Sequence, residues 1–229
     1  TAGSGGGVLA SCNVSVYTGQ NHFVTSTSTN QNGVYTTSGM APGTYFVRTT
    51  FNSGGYINQL FSSLVCVSCN ASTGTPVTVT GTATTSGINF ALVAGGSVTG
   101  RVTDAAHANT STNWLSGASV SLYHSSNAFV GGTSTCNTGT FTVTGVPTGT
   151  YFARTTFNSL GYIHQLYSGI ACARCSVTGG TPVPVAVGPP PPALNLALPL
   201  GGATTAPRTH GSAPPARFHL PWSSATRRV

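Results

Sequence analysis

The chain has 229 residues, of which only 4% are charged; it contains no Glu and no Lys, and Asp104 is its single carboxylate side chain. One acid excludes the paired carboxylates of glycoside cleavage, and the absence of lysine excludes Schiff-base and P-loop chemistry. The formal charge of +7 is uneven, because Arg208, Arg217, Arg227 and Arg228 all fall in the last 22 residues, so no basic stripe with interleaved aromatics points to nucleic acid.

In chain order, residues 1–7 (TAGSGGG) read as a flexible leader. Strand signals follow, with apolar and polar residues alternating at period two and Gly, Asn and Pro turns between them. Near 97–103, 118–124, 128–135, 139–144, 149–157, 161–167, 182–187 and 193–200 the pattern predicts strands, with a matching set from about 12 to 93. Helix formers are scarce, and no stretch approaches the roughly 20 apolar residues of a membrane-spanning helix. Pro189 to Pro192 form a stiff connection, and 201–229 is a Pro- and Arg-containing tail.

These strands repeat. Gly43-Thr-Tyr-Phe-Val-Arg-Thr-Thr-Phe-Asn-Ser returns at Gly149 as Gly-Thr-Tyr-Phe-Ala-Arg-Thr-Thr-Phe-Asn-Ser, and the offset of 106 holds without a gap from about Ala10 to Leu92. Each copy is long enough to bury its own core. The expected organisation is therefore a first repeat over 1–94, a second over 95–200, and the tail. The strand expected at 97–103 has no counterpart ahead of the first repeat, because the offset places it before Thr1. Gly201-Gly202 aligns with Gly95-Gly96, so the tail begins where a third copy's first strand would start. With no visible signal peptide and a start partway through a repeat, the chain reads as a processed or truncated mature form.

Six cysteines in a Ser/Thr/Gly-rich chain point to an oxidising compartment. Cys66/Cys69 and Cys172/Cys175 occupy equivalent places. A zinc site needs four converging ligands, and a redox pair wants a helix N-terminus, so two local disulfides are expected, each pinning a loop. Cys12 aligns with Ala118 and Cys136 with Asn30, outside the shared plan. Two readings stay open for them: an inter-subunit or inter-domain disulfide, or two buried free thiols.

The aromatics Tyr56, Phe61, Tyr162 and Tyr167 recur between copies. They read either as packing groups or as platforms for sugar rings. A Ser-His-Asp triad would depend on Asp104, and no Gly-x-Ser-x-Gly elbow exists. The histidines do not recur between repeats, so no metal site, cofactor or enzymatic activity is expected. Asn13, Asn70 and Asn109 stand in glycosylation sequons.

Gly-Ser-Val-x-Gly-x-Val-x-Asp at 96–104, Gly-Ala-x-Val-x-Leu-Tyr at 117–123 and Gly-x-Phe-x-Val-x-Gly-Val-Pro-x-Gly-Thr-Tyr at 139–151 resemble the carboxypeptidase regulatory-like and Cna-B-like modules. The resemblance implies an all-β fold of two tandem transthyretin-like (Ig-like) antiparallel β-sandwich domains, in a family of bacterial secreted and surface proteins. Such modules often carry a Lys–Asn isopeptide bond, which a chain without lysine cannot form.

The resulting expectation is a structural subunit of an extracellular or cell-surface filament that polymerises with itself head to tail. Its first repeat, one strand short, would be completed by a donor strand of a neighbour beginning at Gly201, Gly202, Ala203, Thr204 and Thr205; residues 1–9 are the competing occupant. The alternatives are a carbohydrate-binding or adhesive module of a larger secreted protein and a non-catalytic spacer of a larger enzyme. Glycans and polyanionic cell-surface material are the partners those readings and the basic tail would admit.

Overall fold

The computed structural model describes residues 1–3, 6–81, 83–107, 113–158, 161–172 and 174–202. It is all-β. In the first repeat the strands are β1 (Asn13–Tyr17), β2 (Phe23–Ser28), β3 (Gly43–Phe51), β4 (Gln59–Leu60), β5 (Leu64–Val65) and β6 (Pro76–Val79). In the second they are β7 (Gly96–Asp104), β8 (Ser119–Tyr123), β9 (Phe129–Ser134), β10 (Thr140–Val146), β11 (Gly149–Phe157), β12 (Gln165–Leu166), β13 (Ile170–Ala171), β14 (Pro182–Val185) and β15 (Leu194–Leu198).

One sheet occurs twice. In the first repeat it runs β2-β1-β3-β4-β5, with β6 also paired to β3; in the second it runs β9-β8-β11-β12-β13, with β14 on β11. The registers match residue for residue: Thr44 faces Thr78 as Thr150 faces Pro184, and Arg48 faces Leu60 as Arg154 faces Leu166. All of these pairs are antiparallel.

A further sheet belongs to the second repeat alone. β7 lies between β10, antiparallel to it, and β15, which runs parallel to it. The two sheets of this repeat enclose a single core in which Val98 and Val102 of β7 pack with Val120, Leu122, Phe141 and Leu196. Gly100 sits between the valines, and a Cβ there would collide with the Leu194 carbonyl and lie 2.6 Å from the Phe141 ring. Only glycine lets the three strands close on one another at that point.

The first repeat departs from expectation where β7 has no counterpart. The segments equivalent to β10 and β15 carry the right alternation, yet residues 34–38 form no strand and 88–92 form no more than an isolated bridge. In the second repeat both segments draw their ladder bonds from β7, so without a central strand each is left with no ladder to join.

A smaller departure concerns the strand expected at 161–167, which is reduced to Gln165–Leu166, with β13 added after it. Its first half is taken by a side chain: Asn158 accepts from the Tyr162 amide at 2.9 Å and donates to the Tyr162 carbonyl at 3.0 Å. Asn52 and Tyr56 repeat the arrangement, with both bonds at 2.9 Å. Local asparagine bonds of this kind outcompete a ladder.

Candidate assembly site

The place that β7 fills in the second repeat is open in the first. A cavity of about 870 Å³ lies there, bounded by Val14, Val16 and Val47 on the sheet side and by Tyr35, Ile88 and Phe90 on the other. The lining follows from alternation. Tyr35, Met40, Ile88, Phe90 and Leu92 still point inward, toward a strand that is not between the two segments. Tyr35 and Ile88 stand where Phe141 and Leu194 flank Gly100, and the Tyr35 hydroxyl donates to the Ile88 carbonyl at 2.7 Å. This bond spans the gap and satisfies a carbonyl whose counterpart lies beside β7. Burial pushes the Tyr35 phenol up to about 12.

Part of the gap is occupied. The N-terminal ammonium of Thr1 donates to the Phe90 carbonyl at 2.8 Å, the Leu92 amide donates to the Thr1 carbonyl at 2.9 Å, and Ala2 bridges to Leu92 in parallel. In the second repeat Leu198, the equivalent of Leu92, pairs with Asp104. Thr1 and Ala2 therefore stand at the places of Thr103 and Asp104 and run in the direction of β7. Of the two occupants weighed from sequence, the leader takes the far end of the slot. The places of Gly96 through Val102 remain open.

Gly201 and Gly202 belong to the end of the second repeat, just beyond the Tyr162–Leu200 bridge. Ala203, Thr204 and Thr205 lie outside the described residues, as do Asn109 and the arginines of the tail.

Cys66 is joined to Cys69 and Cys172 to Cys175. Arg48 donates to the Cys69 carbonyl at 2.9 Å and to the Tyr17 hydroxyl at 3.0 Å, with its guanidinium 4.7 Å above the Tyr17 ring. Arg154 repeats the tyrosine contact on Tyr123 at 3.0 Å and 4.7 Å. These recurrent arginines thus brace each sheet from a partly buried position, a role that the sequence reading did not assign them.

Cys12 and Cys136 are both free thiols, and the chain does not bring them together. Cys12 is 4% exposed and lines the open groove. Cys136 is exposed in the β9–β10 turn, so the reading of two buried thiols fits Cys12 alone. Hydrogen bonds from the Thr138 and then the Thr140 hydroxyl, at 3.0 Å and 2.9 Å from the sulfur, bring the Cys136 thiol down to about 6. Burial pushes the Cys12 thiol up. At pH 7 a maleimide or iodoacetamide is expected to label Cys136 at least tenfold faster than Cys12. The Cys136 rate should rise through a midpoint near pH 6, and Thr138→Ala should move that midpoint upward. Mass spectrometry of the labelled peptides reads both rates.

The recurrent aromatics are half-buried. Tyr56 and Phe61 pack against the first core and Tyr162 and Tyr167 against the second, and the Phe61 ring meets Phe90 edge-on at 6.4 Å. None of the four stands out as a free platform. Asp104 accepts from the Ala106 amide at 2.9 Å and faces His107 Nδ1 at 2.7 Å; the His107 bond holds its carboxyl below the usual range. Among the described residues no group of three or more His, Cys, Asp or Glu is placed to hold a metal ion. No helix among them is long and apolar enough to cross a membrane.

No family model matches the chain, and no curated protein matches it. Solved structures resemble it at low identity. The TIE protein of Bacillus anthracis is 14% identical, with 87% of this chain and 32% of that one covered and a TM-score of 0.31. A streptococcal ancillary pilin is 16% identical over 87% of this chain and 60% of that one, with a TM-score of 0.30. For a variant of the shaft pilin SpaA from Lactobacillus rhamnosus GG the figures are 13%, 86%, 91% and 0.37. The chain thus spans about a third of the TIE protein and three fifths of the ancillary pilin. At these scores the likeness carries no functional argument, which rests instead on the chain's own groove.

Proposed function

We propose that the chain is a structural subunit of an extracellular fibre, in which a strand from a neighbouring copy completes the first repeat. One observation carries this reading: the groove of the first repeat has the place, the apolar lining and the direction of β7, and no described residue fills the places of Gly96 through Val102. A sheet with an unfilled strand position supplies backbone donors and acceptors to an incoming strand and apolar pockets to its alternate side chains. Aligning Gly201 with Gly95 puts Thr204 at the place of Val98, Ala206 at that of Gly100 and Pro207 at that of Arg101. A β-branched residue then meets a place that takes valine in the second repeat, while Ala206 brings a Cβ to the place held there by Gly100 and counts against a fit identical to that of β7. Pro207 falls near the end of the open stretch, just before Thr1 takes over the slot. A contact between unlike ends of identical chains propagates into an open polymer.

The low charge fits such a role, since weak self-repulsion favours association. So do disulfides and neutral Thr/Ser/Asn surfaces in an oxidising exterior. The single carboxylate, already engaged by His107, leaves little for catalysis, and a non-enzymatic role follows.

Negative-stain microscopy tests the proposal. The full chain is expected to form fibres, and a chain lacking residues 203–229 is expected to remain monomeric. Fibres that persist in the shortened chain would remove the tail as donor.

A further inference from the structure

The two repeats meet at a joint in which Val67 of the first packs against the core of the second and a set of backbone groups closes the bend. On the first-repeat side the Gly95 amide donates to the Gly55 carbonyl at 2.9 Å, and Tyr56 bridges to Ala94 in antiparallel fashion. On the second-repeat side stands the bend at Thr144 and Gly145. A Cβ placed on Gly145 would lie 2.6 Å from the Tyr56 carbonyl oxygen, and one on Gly55 would lie 3.5 Å from the Thr144 Cβ.

Each half of this joint exists a second time. At the far end of the second repeat the Gly201 amide donates to the Gly161 carbonyl at 2.8 Å, and Tyr162 bridges to Leu200. Gly55 and Gly161 share their left-handed backbone, with φ of 69° and 77°. A Cβ on Gly161, however, would meet nothing within 4 Å. Ile57 beside the joint is 6% exposed, whereas its counterpart Ile163 is 39% exposed and Leu200 is 64% exposed. The other half recurs at Ser38 and Gly39, the counterparts of Thr144 and Gly145. Gly39 has a φ of 73° against 69° for Gly145, and a Cβ on Gly39 also meets nothing within 4 Å.

We infer that the contact between successive copies is a second instance of the joint inside each chain, with Gly161, Tyr162 and Leu200–Gly201 of one copy against Ser38 and Gly39 of the next. The inference rests on the strand-complementation reading. Within a chain, Gly95 leads straight from the joint into β7. Between copies, Gly201 and Gly202 lead from the same place into the open groove. The free joint half and the vacant groove are then two parts of one interface. Rotation and rise per repeat are equal within and between subunits, so the fibre has a pseudo-repeat of one module.

Engineered cysteines test this directly. The 3.5 Å separation between the Gly55 Cβ position and the Thr144 Cβ suits a disulfide, whose Cβ atoms sit about 3.5–4.5 Å apart. In a full chain carrying Cys136→Ser, the pair Gly55→Cys with Thr144→Cys is expected to close within the monomer. Under the same oxidation Ser38→Cys with Gly161→Cys is expected to give a ladder of multimers on a non-reducing denaturing gel, and neither single variant should. Fibres seen by microscopy without a ladder, while the internal pair closes, overturn the joint and leave the fibre reading standing. Neither fibres nor ladder from the parent and the double variant overturns both. Leu200→Arg alters an exposed side chain and is expected to lower fibre yield at least tenfold with the monomer's circular dichroism unchanged; undiminished yield overturns the joint independently.

Discussion

Replacing Gly100 with valine is expected to unfold the second repeat while the first remains folded. The position is held from both sides. β7 is hydrogen-bonded to β10 and β15 at once, Gly100 faces Phe141 in one register and Leu194 in the other, and a Cβ collides with the Leu194 carbonyl. Overpacking of an ordinary core site costs about 1–3 kcal/mol, through shifts that side chains can absorb. Here the obstacle is backbone, so relief requires β15 to leave β7, and Leu194, Leu196 and Leu198 leave the core with it. Each such side chain is worth about 1.5–3 kcal/mol when buried. The sum is comparable with the whole stability of a small domain, about 5–15 kcal/mol. Calorimetry should show the second repeat's transition lost or lowered by more than about 10 °C, with the other transition in place. Melting like that of the parent would mean that β7 does not close the second sandwich as described.

A peptide with the sequence of residues 95–102, which stops short of the places taken by Thr1 and Ala2, is expected to bind the first repeat and to raise its melting temperature. The groove was built by the same residue plan that receives β7, so the peptide finds its own register: valines inward, glycine between Tyr35 and Ile88. Entry costs the Tyr35–Ile88 hydrogen bond, about 0.5–1.5 kcal/mol net, and the ordering of a flexible chain, about 1–2 kcal/mol per residue. It gains two buried valines and a ladder on each side. A dissociation constant in the micromolar to millimolar range is the reasonable balance, about −8 to −4 kcal/mol. At a hundredfold excess over that constant the folded repeat gains about 2.7 kcal/mol. For a domain near 100 residues this corresponds to a rise of about 10 °C. The peptide with valine in place of its central glycine should do far less.

Much of the fold was legible because period-two alternation survives in both copies. Strands β8, β9, β10, β11 and β14 fall within a residue or two of their predicted places. Three things could not be read locally. Alternation at 34–38 and 88–92 is real, but a strand needs a neighbour, and sequence pattern reports the face without the partner. Asn52 and Asn158 capture the backbone of Tyr56 and Tyr162, a side-chain bond that has no periodic signature. The parallel direction of β15 against β7 follows from how the chain re-enters the second sheet, which the run of prolines ahead of Leu194 does not reveal.

The candidate site was legible in outline only. The vacancy could be counted from the offset, yet its partial filling by Thr1 and Ala2 depends on contacts nearly ninety residues apart. Cys12 and Cys136 stood out together as departures from the plan, and the fold encloses one in the groove and leaves the other in an exposed turn, a difference in setting that the offset does not report. The recurrent aromatics admitted packing and sugar-platform readings alike, and their half-burial against the two cores depends on tertiary contacts that the recurrence does not report. The joint between the repeats was hidden for the opposite reason: Gly55 and Gly145 are common loop residues, and the close approach of Gly145 to Tyr56 becomes visible only in the fold.

The central claim is that the first repeat's groove receives a β-strand in the place of β7. Hydrogen exchange on the chain lacking residues 203–229, with and without the 95–102 peptide, is the decisive measurement. Slowed exchange at the amides of 34–38 and 88–90, with the second repeat unchanged, is the predicted result. Unaltered exchange in those two segments at saturating peptide, or protection elsewhere, would contradict it.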